Sequence, residues 1–158
     1  MSEGTALRIA IGGDHAGYAL KERLKRELGA LGHEPVDVGT FGPEPCDYPD
    51  FCFPVAEQVA RGEAARGIVL GGSGIGEAIA ANKVDGIRAA VVTSEETARL
   101  TRLHNDSNVL ALGGRTNPDH EAVARWVRVW LDTPFEGGRH VPRIEKIRAY
   151  ERSRPVTG

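Results

Sequence analysis

Six stretches of this 158-residue chain carry side chains suited to acid–base or anion chemistry. The most informative is Gly72-Ser73-Gly74-Ile75-Gly76, which runs directly into Glu77. Glycines let a backbone approach a ligand closely, and the first N–H groups of a helix point outward, so such a loop suits a phosphate or a developing oxyanion. Glu77 falls in the first turn of the helix that follows. A carboxylate there complements the helix dipole, and beside an anion loop it can also serve as a general base. Asp14-His15 adds an acid and an imidazole, Asp47-Tyr48 a second acid and a phenol, and Arg115 a guanidinium. His104-Asn105 supplies another imidazole and an amide. Arg139, His140 and Arg143 form a basic cluster behind Gly137-Gly138. Arginine forks match phosphate oxygens well.

These residues need a frame, and the hydrophobic pattern supplies one. Short apolar runs at Leu7–Ile11, Pro35–Val38, Gly67–Leu70, Ile87–Val92 and Asn108–Leu112 read as five strands, each ended by a polar or glycine-rich turn. Between them lie helical spacings. Leu20, Leu24, Leu28 and Leu31 mark one face closed by Gly32, and Val55, Ala56, Val59 and Ala60 mark a helix that stops before Gly62. Ala78, Ile79, Ala80 and Ala81 follow the glycine loop. Ser94 caps a fourth helix whose Glu95 and Glu96 suit its dipole. Asn117 and Pro118 are expected to start a long helix with Val123, Trp126, Val127 and Trp130 facing the core. A basic segment, Arg139 to Arg154, shows Ile144 and Ile147 on one side. It reads as a solvated helix or an arm reaching a neighbouring subunit, and Pro155 to Gly158 is expected to fray.

Alternating strands and helices predict an α/β fold, a Rossmann-like three-layer sandwich. Its five-stranded parallel sheet carries helices on both faces and a C-terminal helical arm at residues 139–154. Residues 1–158 read as one domain. In such sheets ligands bind beyond the carboxyl ends of the strands. Asp14, His15, Asp47, Ser73, Glu77 and Arg115 all fall there. His104 instead ends the fourth helix, which runs back toward the other edge over roughly 15 Å. If His104 acts in the same reaction as Glu77, another subunit must bring it.

Composition narrows the classes. Twenty Lys and Arg against 22 Asp and Glu give a formal charge of −2, which excludes the basic footprint of a general nucleic-acid binder. No run of about eighteen apolar residues marks a membrane span, and Met1 to Leu7 carries no apolar signal core, so a cytoplasmic protein is expected. Cys46 and Cys52 match no common zinc spacing and read as ordinary thiols. The glycine loop is neither G-x-G-x-x-G after a first strand nor a triphosphate loop with its Lys-Ser/Thr.

Taken together, Gly13-Asp14-His15-Ala16-Gly17, Asp47-Tyr48-Pro49, Gly71 to Lys83, His104-Asn105, Gly113-Gly114-Arg115 and Gly138-Arg139-His140 resemble the type B ribose-5-phosphate isomerases. These belong to a family of sugar-phosphate aldose–ketose isomerases that also takes galactose and allose 6-phosphates. The resemblance covers Ile9 to about Glu151. It implies interconversion of ribose 5-phosphate and ribulose 5-phosphate through a cis-enediolate, with Glu77 as the base. Gly72, Ser73, Gly74, Ile75 and Gly76 would hold the enediolate oxygens. His104 would be the acid that opens the furanose, Asp14 would shift protons among hydroxyls, and Asn105 would bind one. Arg115, Arg139 and Arg143 would hold the phosphate, with His15 near it. No metal and no organic cofactor is implied. The family assembles as homodimers or larger, with sites shared between chains, and no nucleic acid or membrane partner is implied. Some members use a cysteine base at the position occupied here by Gly71, so this chain falls in the glutamate branch.

Three alternatives stay open at this level. The sugar phosphate could have four or six carbons. A metal enzyme could use Asp14, His15 and Asp47, although no H-x-x-x-H or comparable spacing supports it. A non-catalytic phosphate binder would leave Glu77 and His104 unexplained.

Overall fold

The computed structural model describes residues 4–155 of the chain. Five parallel strands, β1 (Arg8–Gly13), β2 (Glu34–Asp37), β3 (Arg66–Gly71), β4 (Ala89–Val91) and β5 (Val109–Gly113), form one sheet in the order β2-β1-β3-β5-β4. Six helices accompany them: α1 (Tyr18–Ala30), α2 (Pro49–Ala60), α3 (Ile75–Ala81), α4 (Glu95–Asn105), α5 (His120–Asp132) and α6 (Val141–Ser153), the last preceded by a 3-10 turn at Gly138–His140.

The two-residue period of the strands divides the core. Ile9, Ile11, Ile68, Leu70, Leu110 and Leu112 point to one face, where Leu20, Leu24 and Leu28 of α1, Ala98 of α4, and Val123, Val127 and Trp130 of α5 cover them. Ala10, Val69, Val109 and Ala111 point to the other, against Val55 and Ala56 of α2 and Ala78, Ala80 and Ala81 of α3. Large side chains fill one layer and small ones the other. This is the expected three-layer fold.

Several local expectations change. The fourth strand shortens to Ala89–Val91 because Ile87 N–H turns back to Val84 O and Arg88 N–H goes to the Asn108 side chain. Helix α5 begins at His120, not at Pro118. Asp119 caps it by accepting from Ala122 N–H at 3.1 Å, whereas the Asn117 side chain donates to Gly113 O at 2.9 Å and ties down the end of β5. Ile79 stands 58% exposed on the outer side of α3. Trp126 is only partly buried, while Trp130 is fully buried with its indole N–H on Ser107 Oγ at 2.8 Å. In α6 only Ile144 is buried and Ile147 is exposed. That helix docks on its own chain, through Glu151 to Gly86 N–H and Arg154 to Asp85. The tail at residues 156–158 lies outside the described residues. Among the described residues, no helix is long and apolar enough to cross a membrane.

Trp130 anchors the larger layer. Trp130→Ala should lower the unfolding free energy by about 3–5 kcal/mol, the usual cost of such a truncation. A shift in the urea midpoint at unchanged slope would register it, and an unaltered midpoint would contradict the packing described.

Candidate functional site

Beyond the carboxyl ends of β1 and β3, successive connections diverge: β1 leads to β2 on one side, and β3 leads toward β4 and β5 on the other. A crevice at such a switch point is where ligands of open α/β sheets bind. Asp14 leaves β1 at this point. It is buried, and its Oδ1 accepts from Ala16 N–H at 2.9 Å and Gly17 N–H at 3.2 Å, turning the chain into α1. The Gly72–Gly76 loop leaves β3 beside it. Gly74 sits at φ +83 against the backbone of Leu112, a conformation and a closeness that favour glycine. Ser73 Oγ accepts from Ile75 N–H at 3.2 Å, so that amide is already engaged inside the loop.

Glu77 is 3% exposed, and its Oε2 finds no hydrogen-bond partner among the described residues. Such a group carries a desolvation cost that ordinary folding would remove. Burial pushes its carboxyl above the usual range. The N–H groups of Glu77 and Gly74 pull it back, and the nearby Asp14 charge raises it further. A Cβ placed on Gly71 would overlap Glu77 Oε1. Residue 71 must be bare for the carboxylate to lie where it does, which is why a thiol at 71 and this glutamate placement exclude one another. Two further residues lie against this site: Tyr48, already among the chemistry-bearing residues of the sequence, and Cys52, which the sequence reads as an ordinary thiol. Tyr48 lies over Gly76, filling the space a side chain there would need. Cys52 is a free, fully buried thiol pushed upward by burial and by the charges of Glu77 and Asp14, so it stays protonated. Its helical position in α2 gave no chemical signal.

His15 is half-buried, and its Nδ1 accepts from Cys46 N–H at 3.2 Å. That bond leaves Nε2 to carry the proton of the neutral ring and to donate to an anion. Arg115 is exposed on the turn after β5. Its N–H donates to Gly72 O at 3.1 Å, and its side chain runs beside Gly72. Asp14, His15, Ser73, Glu77 and Arg115 are therefore gathered at one edge.

The remaining expected residues are not. β5 pairs Val109 with Gly67 and Gly113 with Gly71, so the chain just before Val109 lies at the amino edge, roughly 15 Å from the Gly71 end. His104 and Asn105 end α4 there. The His104 ring stacks on His140 with centroids 4.5 Å apart, Arg143 Nη1 approaches His140 Nδ1 at 3.5 Å, and Arg139 pairs with Glu136 at 3.4 Å. His104, Arg139 and Arg143 form a second cluster together with Glu136 and His140. Asn105 faces a different space, a groove of about 730 Å³ between β4, α4 and α6. Glu136 was not singled out in the sequence: Arg139 and His140 lie three and four residues beyond it, but the third partner, His104, is distant along the chain.

An acid-edge cluster holding a buried carboxylate beside a glycine loop, with a separate imidazole–arginine cluster, can support proton transfer on an anionic substrate. The Ribose/Galactose Isomerase family profile matches residues 9–147. The chain is 45% identical over 147 residues to the ribose-5-phosphate isomerase B of Escherichia coli, covering 93% of this chain and 98% of that protein. It is 43% identical over 159 residues to that of Mycobacterium tuberculosis, covering 98% of each. Among solved structures, ribose-5-phosphate isomerase B of Clostridium thermocellum superposes with a TM-score of 0.89 at 50% identity, over 92% of this chain and 97% of that one. The Mycoplasma genitalium enzyme with bound ribulose-5-phosphate superposes with a TM-score of 0.88 at 40% identity, over 93% and 97%. This chain belongs to the ribose/galactose isomerase family.

Proposed function

We propose that the chain is an aldose–ketose isomerase that interconverts ribose 5-phosphate and ribulose 5-phosphate. The observation that carries this reading is the buried, unpartnered Oε2 of Glu77 at the mouth of the Gly72–Gly76 loop. In the open-chain aldose, Glu77 takes the C2 proton and returns it to C1, and it reverses the transfer from the ketose. Charge moves onto the two oxygens of a cis-enediolate. The loop amides not already engaged and the Ser73 hydroxyl would supply donors to those oxygens, while the Ile75 N–H, held by Ser73 Oγ, would first have to leave it. Asp14, anchored by its own backbone bonds, relays protons among the hydroxyls. Arg115, with His15 Nε2–H, holds the phosphate at this edge.

Ring opening needs an acid at the furanose oxygen, and the chain's own His104 lies across the sheet from Glu77. We assign that role to the His104 of a second copy, whose Asn105 would bind a hydroxyl and whose Arg139 and Arg143 would join in holding the phosphate, so that residues 139–154 act as an arm completing the neighbour's site. Exposed apolar side chains support a covered surface: Ile75 and Ile79 are 59% and 58% exposed beside the glycine loop, and Ile147 and Tyr150 are exposed on α6. A homodimer is the smallest assembly that satisfies this, and a homotetramer contains it.

The test is turnover in deuterium oxide. Ribose 5-phosphate should give ribulose 5-phosphate, with solvent deuterium at the transferred position. kcat/KM for the pentose phosphate should exceed that for tetrose and hexose phosphates. Saturable binding without isomerisation of any of the three would return the chain to a phosphate binder, and preference for a four- or six-carbon phosphate would reassign the substrate.

A further inference from the structure

The amino-edge cluster contains a group that the isomerase reading does not use. His140 is 4% exposed, and its Nε2 finds no hydrogen-bond partner among the described residues. It points at Glu136 Oε2, 3.7 Å away, and the Nε2 of His104 lies 4.0 Å from the same oxygen. One donor atom from each of the three residues falls within 4.8 Å of the other two. Two imidazole nitrogens and one carboxylate oxygen are the donor set of open tetrahedral zinc sites, in which a fourth position stays free. Ligand atoms around such an ion stand roughly 3.3 Å apart, given bond lengths near 2.0–2.1 Å. Those two separations need to close by less than 1 Å, and the third, within 4.8 Å, by at most about 1.5 Å.

We propose that His104, Glu136 and His140 form a site for one divalent transition-metal ion, with zinc and cobalt fitting the donors, and that filling it shuts down isomerisation. Hard cations such as magnesium prefer oxygen shells and do not suit two imidazoles. Binding draws on the neutral imidazoles and the ionised carboxylate, so affinity should rise with pH. Loading shifts the His140 ring proton to Nδ1, and the exposed Arg143 then turns away from that atom. His104, 38% exposed at its side chain, has room to tilt out of its stack with His140 and aim its lone pair. Arg139, paired with Glu136, opposes the ion and keeps the affinity below that of a structural zinc centre.

The inhibitory consequence rests on the acid role proposed for His104, since a coordinated imidazole cannot donate a proton to the ring oxygen. The binding itself does not. The two are separated by reading them independently in the full-length enzyme after chelator treatment. Cobalt titration should give one equivalent per chain with the visible ligand-field bands of a tetrahedral ion. Zinc should inhibit ribose 5-phosphate turnover over the same concentration range in which it displaces that cobalt, and EDTA should restore the rate. Glu136→Gln, at an exposed position, and His140→Gln should each weaken cobalt binding at least about tenfold, with zinc inhibition moving in parallel. No cobalt signal up to millimolar metal, or a signal unchanged in both variants, overturns the site. Cobalt bound as expected with turnover untouched by zinc overturns the inhibition. If the chain proves inactive on every sugar phosphate, the absorption arm still decides the site.

Discussion

Glu77→Gln should slow ribose 5-phosphate isomerisation by about 10²–10⁴-fold, the contribution usual for a positioned general base, while KM changes little. Glutamine keeps the shape and removes the basic lone pair. The same buried position gives this substitution a second sign. Burial raises the Glu77 carboxyl above its ordinary range, so the folded chain holds that proton more tightly than the unfolded one. Stability therefore falls as pH rises through the unfolded and then the folded value, and at neutral pH the ionised carboxylate is a cost to the fold. Glu77→Gln should accordingly raise Tm near pH 7 while it slows turnover. The acid limb of kcat/KM in the parent enzyme should lie above the ordinary glutamate value of about 4.3, because only the ionised form accepts the proton. Normal turnover by Glu77→Gln would move the base elsewhere, and a lowered Tm would mean that the side chain contributes bonds the structure does not show.

Gly71→Ala should be nearly as damaging although it removes no functional group. The added methyl would overlap Glu77 Oε1, and Gly71 is locked into the β3–β5 ladder opposite Gly113, so the carboxylate has to yield. A displacement of about 1 Å at a reacting group costs on the order of 10²-fold. The expected signature is a drop in kcat of that size, with phosphate binding kept through Arg115 and His15. Gly71→Ala combined with Glu77→Gln should then lose little more than Glu77→Gln alone, since both act through one carboxylate. Additive losses would show that Gly71 matters for another reason. Kinetics of the three variants at fixed pH suffice.

Much of this arrangement was legible before any coordinates. The short apolar runs at Leu7–Ile11 and Gly67–Leu70, each ended by glycines, read as buried strands and are, and Ser94 before two glutamates marked a helix start that the structure shows as a capping box with Thr97. Glu77 was identifiable because an acid and a glycine loop adjoin in the sequence. What could not be read were choices between near-equal local options. Asn117-Pro118 and Asp119 both make sound helix starts, and the outcome turned on Gly113 O needing a donor, a contact set by tertiary folding. Helix α3 is seven residues long, too short for its periodicity to show which of its apolar residues would be buried. Cys52 gains chemical character only from Glu77 and Asp14, which are distant along the chain, and Glu136 and His140 meet His104 only through folding.

The unequal thickness of the two packed layers means that their mutations should fail differently. On the leucine-rich side, trimming a side chain leaves a void and a weaker fold, but the catalytic edge stays where it was. On the alanine-lined side, α3 rests almost directly on the strands through Ala78, Ala80 and Ala81. Enlarging Ala111 there would act as a wedge under the short helix that carries Glu77. Inherited damage to this protein would thus divide into molecules that melt early and molecules that persist, correctly shaped in outline, with their proton acceptor out of reach.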